Sequence, residues 1–420
     1  MKKIYFIFYL LTHFYCVQAQ LSAVLTDEYA LEKKASVGIT ADYFINANSL
    51  TTQFINKFYT GGHINEQLKN QVLARTKNAN RAGAELNYGI FSSFRLDSLS
   101  RKNSFHLFFA VRDRMHMDAS FSKDLYTLGF YGNALYAGKT ADLNGFNLNL
   151  IRYQQFQIGL FSTKLDSNAR WGISLSFLKG EQYYSILARR ALLYTSPDAQ
   201  FIDFNTEIEM AQSNPSKKGL NAANGFGVGM DIYFEAPFKS SIGNSKLTVS
   251  VSDIGLIRYN DQSVYRKQDS MFHYTGFRIK SIFDLQDSIF LNTSQDSIRN
   301  KILPYTQRSV TVTLPSTLNL SIETTLNRYF HLTEGIRYIF NANYKLLAYV
   351  KGNFYFNKSF MTSATIGYGG YGGVSYGIGL GANLGSGFSI YAGSNNIEGY
   401  IAPSKTAGRA AYFSIIKNFN

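Results

Sequence analysis

From Pro315 to its last residue the chain keeps a two-residue beat. Leu318, Leu320, Ile322 and Thr324 alternate with Thr317, Asn319, Ser321 and Glu323, and the beat returns six more times before Asn420. Near the end Val374, Tyr376, Ile378, Leu380, Ala382 and Leu384 alternate with Ser375, Gly377, Gly379, Gly381 and Asn383. A period of two sends one set to each face of a strand. A large apolar face opposite Gly, Ser, Thr and Asn suits a sheet with lipid on one side and a polar interior on the other.

Composition narrows the class. The chain holds 34 Phe, 30 Tyr and 34 Gly against 6 Pro and 1 Trp. Many aromatics without long apolar runs point to strands with aromatic girdles rather than membrane helices. No segment after the N-terminus offers 18 consecutive apolar residues. The formal charge of +14, or +12 once Lys2 and Lys3 leave, is scattered and forms no basic stripe on a helix. No nucleic-acid partner is therefore expected, and a lipid bilayer with its lipopolysaccharide leaflet is the simpler one.

The N-terminus reads as a secretory signal. Lys2 and Lys3 precede an apolar stretch from Ile4 to about Tyr15, then Val17-Gln18-Ala19 offers a small-residue site with cleavage after Ala19. Residues 1–19 are the expected signal peptide and 20–420 a single barrel domain. Cys16, the single cysteine, lies inside the signal, so the mature chain has no disulfide and no thiolate metal site.

Strands are expected at Ser36 to Ile45 and Ala84 to Leu96, then along the apolar set Phe105, Leu107, Phe109 and Val111. Further sets are Phe156, Ile158 and Leu160; Trp171, Ile173, Leu175 and Phe177; Phe226 to Phe234; and Leu247, Val249 and Val251. Four long breaks divide them, at about 46–83, 115–150, 180–222 and 257–307. In the first, Ile64, Leu68 and Val72 recur at helical spacing and predict a short loop, lid or plug helix.

The breaks permit a check on orientation. An outer-membrane barrel has short turns and both termini on the periplasmic side and long loops outside. Counting back from a descending last strand puts the turns at Leu384 to Gly387, Asn357 to Ser359 and Asn327 to Thr333 inside, and all are short. Counting forward from an ascending first strand puts Asn46 to Gly83 outside. The counts meet if 115–150 stays outside or in the lumen. The fold class expected is all-β, a transmembrane antiparallel up-and-down barrel of about 14 strands, in a range of roughly 12 to 18, with room for a lumenal plug.

Certain stretches carry a family likeness: Val249-Ser250-Val251-Ser252-Asp253-Ile254-Gly255-Leu256-Ile257, Gly377-Ile378-Gly379-Leu380-Gly381-Ala382-Asn383-Leu384 and Ile390-Tyr391-Ala392-Gly393-Ser394-Asn395-Asn396. With the strand count, these resemble the FadL-type long-chain fatty-acid transporter barrels. They are also similar to uncharacterised outer-membrane proteins of Bacteroidota related to the PorV and PorP/SprF families. The aromatic end Tyr412-Phe413-Ser414-Ile415-Ile416-Lys417-Asn418-Phe419 looks like a barrel-assembly signal, although one residue follows the phenylalanine. The Asn-Pro-Ala common near the mature N-terminus of the transporter type is missing. The resemblance implies two functions. One is passive transport of a hydrophobic or amphipathic ligand; the other is a non-transporting scaffold that binds protein partners of a secretion or surface-assembly machine through its outer loops.

Chemistry-bearing residues are few. His63, His106, His116, His273 and His331 have no neighbours at metal spacing, and no nucleophile is marked, so neither enzyme activity nor a cofactor is expected. Alternation directs Asp42, Glu85, Arg95, Arg112, Asp231, Glu235, Glu323, Arg337 and Lys351 into the lumen. Their mixed signs suggest a cross-barrel ion-pair network bracing a plug, or a polar pore lining, and favour bracing over a selective ion path. Asp-Ser-aliphatic tripeptides at Ser98, Ser270, Ser288 and Ser297 resemble O-glycosylation sites of Bacteroidota exports, the last three in one expected exposed loop.

Overall fold

The computed structural model describes residues 33–96, 105–162, 169–275, 305–357 and 359–419. Its strands are β1 (Ala35–Ala47), β2 (Asn80–Leu96), β3 (Phe105–Phe121), β4 (Lys139–Asp142), β5 (Asn147–Ser162), β6 (Arg170–Thr195), β7 (Phe201–Gln212), β8 (Gly225–Ser240), β9 (Gly243–Tyr259) and β10 (Val264–Thr275). They continue with β11 (Tyr305–Gln307), β12 (Val310–Thr313), β13 (Thr317–Asn327), β14 (Phe330–Ile339), β15 (Lys345–Asn357), β16 (Phe360–Gly370), β17 (Val374–Gly385), β18 (Phe388–Ser394) and β19 (Arg409–Phe419). Helices α1 (Thr52–Thr60), α2 (Glu66–Leu73), α3 (Lys123–Tyr131) and α4 (Glu398–Ile401) lie in the connections.

Fourteen strands form a closed antiparallel wall in the order β1-β2-β3-β5-β6-β8-β9-β13-β14-β15-β16-β17-β18-β19, and β19 pairs back onto β1 from Ala35↔Phe419 to Ile45↔Arg409. Closure removes the sheet edges that lipid could not solvate. No described helix is long and apolar enough to cross a membrane. The two faces differ as the alternation requires. Leu175 and Val228 face outward at 60% and 64% exposure, while Phe108 and Phe161 face inward at 1% and 2%.

Both wall termini lie at one end, where the connections among the described residues, 241–242, 328–329 and 386–387, are short turns. The other end carries the helices and the extra strands. α2 lies where helical spacing predicts it, with Leu68 and Val72 buried against Phe54 of α1 and Tyr126 of α3. Asn65 caps its first turn, its side-chain oxygen accepting from the Leu68 N–H at 2.9 Å.

Three of the four expected breaks contain more strand than periodicity suggested. β6 does not end near Gly180 but runs on to Thr195, exchanging β8 for β7 as its partner. β10 falls inside the expected 257–307 loop and pairs with β7 along its whole length. Together β6, β7 and β10, joined by β4, form a sheet that rises beyond the wall. Leu193, Ala191, Ala188 and Ile202 pack there on Leu128, Tyr136 and Leu143 from the 122–146 insertion. β3 likewise runs to Phe121 and β5 begins at Asn147, so the 115–150 break shrinks to an insertion holding α3 and β4. Outside the membrane no lipid face enforces clean alternation, and the Glu181 bulge in β6 interrupts what remains of it.

Inside, aromatic rings seat against glycines on neighbouring strands. Gly172 is the register partner of Phe161, and a Cβ there would stand 2.1 Å from the ring. Gly172→Val should therefore destabilise the barrel by about 1–3 kcal/mol through overpacking. The denaturant midpoint in lipid vesicles, read by the fluorescence of the single tryptophan, Trp171, checks this.

Candidate functional site: a charged layer across the lumen

The interior is layered. Near the short-turn end Phe91, Phe108, Phe161, Tyr233, Tyr391 and Ile416 form an apolar layer. Near the loop end Tyr344, Leu347, Ile339 and Tyr371 form another, with Ile151, Tyr153, Leu178, Ile257, Tyr259 and Leu314 beside them. Between them lies a band of charge with a cavity of about 110 Å³.

Two chains of contacts cross this band. In the first, Arg114 of β3 reaches Asp253 of β9, with Nη1 2.5 Å from Oδ1. The same oxygen accepts from the Tyr153 hydroxyl at 3.1 Å. The Arg114 Nε donates to Asn87 at 3.2 Å, and the Asn87 amide donates to Asp42 at 3.0 Å. On the far side the Asp253 main-chain N–H donates to Asp231, whose other oxygen accepts from Gln157 at 2.5 Å. In the second chain, Arg337 of β14 donates to both oxygens of Glu85 on β2, at 2.9 and 3.2 Å. Those strands stand on opposite sides of the wall, so this pair spans the lumen.

His116 extends the second chain to the loop end. Its Nδ1 lies 3.3 Å from Glu85 and its Nε2 3.2 Å from the hydroxyl of Tyr371, in the turn between β16 and β17. Burial pushes the Tyr371 hydroxyl well above its ordinary range, and the Asp118 and Glu85 carboxylates add to the effect. Burial also pushes Tyr344 up to about 12. Asp118 closes the loop end by accepting from the Asn343 main-chain N–H at 3.0 Å and from its side-chain amide.

Five of the nine charges expected inside therefore meet around the cavity: Asp42, Glu85, Arg112, Asp231 and Arg337. Arg112 lines the cavity at 8% exposure, with Nη2 lacking a hydrogen-bond partner. Glu235 and Glu323 belong to a second cluster nearer the short turns, where Lys246 lies 3.5 and 3.8 Å from them, Arg170 meets Glu235 and His331 meets Glu323. Lys351 is buried beside that cluster, opposite Thr333. Arg95 is half-buried at the short-turn end of β2, away from the cavity. The inward glycines of the closing run make space for a side chain: a Cβ at Gly379 or Gly393 would fall 2.2 or 2.3 Å from the Tyr412 hydroxyl. Ser98, Ser288 and Ser297 lie outside the described residues. Ser270 is not in a loop but within β10, paired with Thr206 and accepting from Gln268.

Asp253, the hub of the first chain, escapes alternation. Val249 and Val251 face lipid, so Asp253 should too, yet it is 3% exposed and faces inward. A bulge sets Ser252 and Asp253 together against Asp231, and Asp253 takes a left-handed φ of 61°. Beyond it the outward set becomes Ile254 and Leu256. Arg114 and His116, by contrast, lie on the same beat as Arg112 and were readable from it. Arg114→Met strands the Asp253 carboxylate and should cost about 3–5 kcal/mol. Adding Asp253→Asn should recover part of that loss, and a double-mutant cycle on denaturant midpoints in vesicles measures the coupling.

A comparison with curated protein sequences gives no match. Among solved structures the chain is similar in outline to the Pseudomonas putida toluene transporter TodX, at 9% identity over 98% of this chain and 96% of that one, with a TM-score of 0.46. A Pseudomonas aeruginosa FadL homologue aligns at 11% identity over 97% and 96%, TM-score 0.42. The Ralstonia pickettii toluene transporter TbuX aligns at 8% over 95% and 94%, TM-score 0.33. The sequence profile of one family matches residues 30–395, most of the chain, and on that match the chain belongs to the family of unknown function DUF5723.

Proposed function

We propose that this protein is a bacterial outer-membrane barrel that passes a hydrophobic or amphipathic small molecule from the loop end and releases it sideways through the wall. In this reading residues 1–19 direct export, the short turns face the periplasm and the long connections face outward. An apolar layer lies inside the barrel near the short turns. In this reading a molecule in the cavity leaves sideways through the wall rather than past that layer.

The observation that carries the reading is an interruption of the wall beside the cavity. β9 pairs with β12 through Leu256–Tyr259 and with β13 through Asn244–Ser252, and residues 314–316 carry no ladder pair with it. There the wall is held by Leu314 N–H to the Gly255 carbonyl at 3.0 Å and by the Ser316 hydroxyl to the Asp253 carbonyl at 2.9 Å. Pro315 has no N–H to offer. Asp253, Pro315, Ser252 and Thr317 all line the cavity. Left-handed backbone at a residue other than glycine stores about 1–3 kcal/mol, as hinges and gates do.

Purified protein in liposomes should take up fatty acids or aromatic hydrocarbons faster than empty liposomes. Ser252 and Thr317 are register partners across the interruption, and the mature chain has no cysteine to interfere. A Ser252→Cys/Thr317→Cys disulfide should therefore slow uptake, and reductant should restore it. Flux equal to the empty control, with a protein partner retained on purification from native membranes, would turn the reading to a scaffold for a secretion or surface-assembly machine.

A further inference from the structure

At the loop end of the β1–β19 seam two short helices lie against the outside of the wall. α1 buries Phe54 in the cap with Leu68 and Tyr126 but leaves Tyr59 69% exposed, and Phe58 is also exposed. α4 leaves Ile401 77% exposed, with Tyr400 exposed beside it. Tyr400 is tied to the wall: its hydroxyl meets that of Tyr43 and donates to the Ala410 carbonyl at 3.2 Å. This apolar shelf continues the lipid-facing surface of β1 and β19, where Ile39 and Phe413 are exposed. Aromatic and aliphatic side chains on short helices at the edge of an apolar belt are at home at the membrane interface.

Beneath α1 is a pocket of about 220 Å³ whose lining includes Tyr43, Ile45, Ile55, Asn56, Tyr59 and Arg409. Arg409 faces outward at the top of the seam, opposite Ile45, with its guanidinium 4.8 Å from the centre of the Tyr400 ring. Among the described residues no carboxylate stands within ion-pair distance of it, and its buried Nε has no hydrogen-bond partner. The carboxylate of Glu398 on α4 is turned to the Tyr376 N–H and the Asn396 amide instead. A guanidinium with no carboxylate partner among the described residues, over a pocket that mixes Ile45, Ile55 and tyrosine rings with Thr52, Asn56 and Thr60, matches a phosphate carried on acyl chains.

We propose that this pocket is a binding site for an anionic, phosphate-bearing lipid of the outer leaflet. Arg409 and Asn56 hold the phosphate, and an acyl chain runs down past Ile45 and Tyr43 along the seam. The site rests on the orientation proposed above, with the loop end outward, but not on transport, so the lipid result and the flux result fail separately.

Native mass spectrometry of the delipidated full-length protein tests it, with dimyristoyl phosphatidylglycerol or dimyristoyl phosphatidylcholine added singly. The anionic lipid should be retained more tightly, and Arg409→Gln should weaken it about tenfold while leaving phosphatidylcholine unchanged. Ile45→Asn should weaken both lipids, which separates the chain contact from the phosphate contact. A heat-dependent gel shift in each variant confirms that the barrel is closed. Equal retention of the two lipids, or an Arg409→Gln protein that binds the anionic lipid like the parent, overturns the proposal. So does displacement of the lipid by millimolar inorganic phosphate, which would make the site one for the free ion.

Discussion

A main-chain N–H or C=O facing hydrocarbon has no water to turn to, so a wall of strands in lipid must close on itself. Everything else in this molecule follows from where that closure is made and where it is relaxed. The seam is made by β1 and β19, which pair along nearly their whole length. Inside it the Ser36 hydroxyl donates to the Asn418 side chain at 2.6 Å, and Lys417 donates to the Ser386 carbonyl in the adjoining turn. The ladder is relaxed at residues 314–316, where one main-chain bond and one serine hydroxyl stand in for it.

Closure leaves a lumen, and this chain fills it with its own side chains. The polar members face a cost that the outward ones avoid, because a buried charge is tolerable only with a partner. Arg337 with Glu85 and Arg114 with Asp253 meet that demand by reaching across rather than along the wall. Such pairs hold opposite sides of the barrel at a fixed distance, which a packing of aliphatic chains would do less specifically. The same pairs give the interior something to break if the barrel is to admit a molecule.

The wall was legible because lipid imposes one rule on every strand: Leu320, Ile322, Leu380 and Val228 face it, and their neighbours do not. The family resemblance and the strand count agreed with that rule. Beyond the membrane the rule lapses. Ile202, Phe204, Ile208 and Met210 do alternate with Asp203, Asn205, Glu207 and Glu209 in β7. The beat was hidden because its partner, β10, lies far along the chain behind a polar run at 212–218. Asp253 was unreadable for a different reason. Periodicity assumes an unbroken strand, and a single bulge exchanges the faces of all that follows. The charges on the regular strands could be assigned to the lumen, but which of them meet depends on barrel curvature, which no local pattern carries.

β6 has a consequence of scale. It is 26 residues long, and at roughly 3.3 Å per residue it extends about 85 Å, against a hydrocarbon core of about 30 Å. One continuous strand therefore begins at the short-turn end, is long enough to pass such a core even at the tilt of a barrel strand, and ends as the spine of the β6–β7–β10 sheet. With Leu193 and Ala191 packed into a core of its own, that sheet is a folded extension of the wall and not a bare loop.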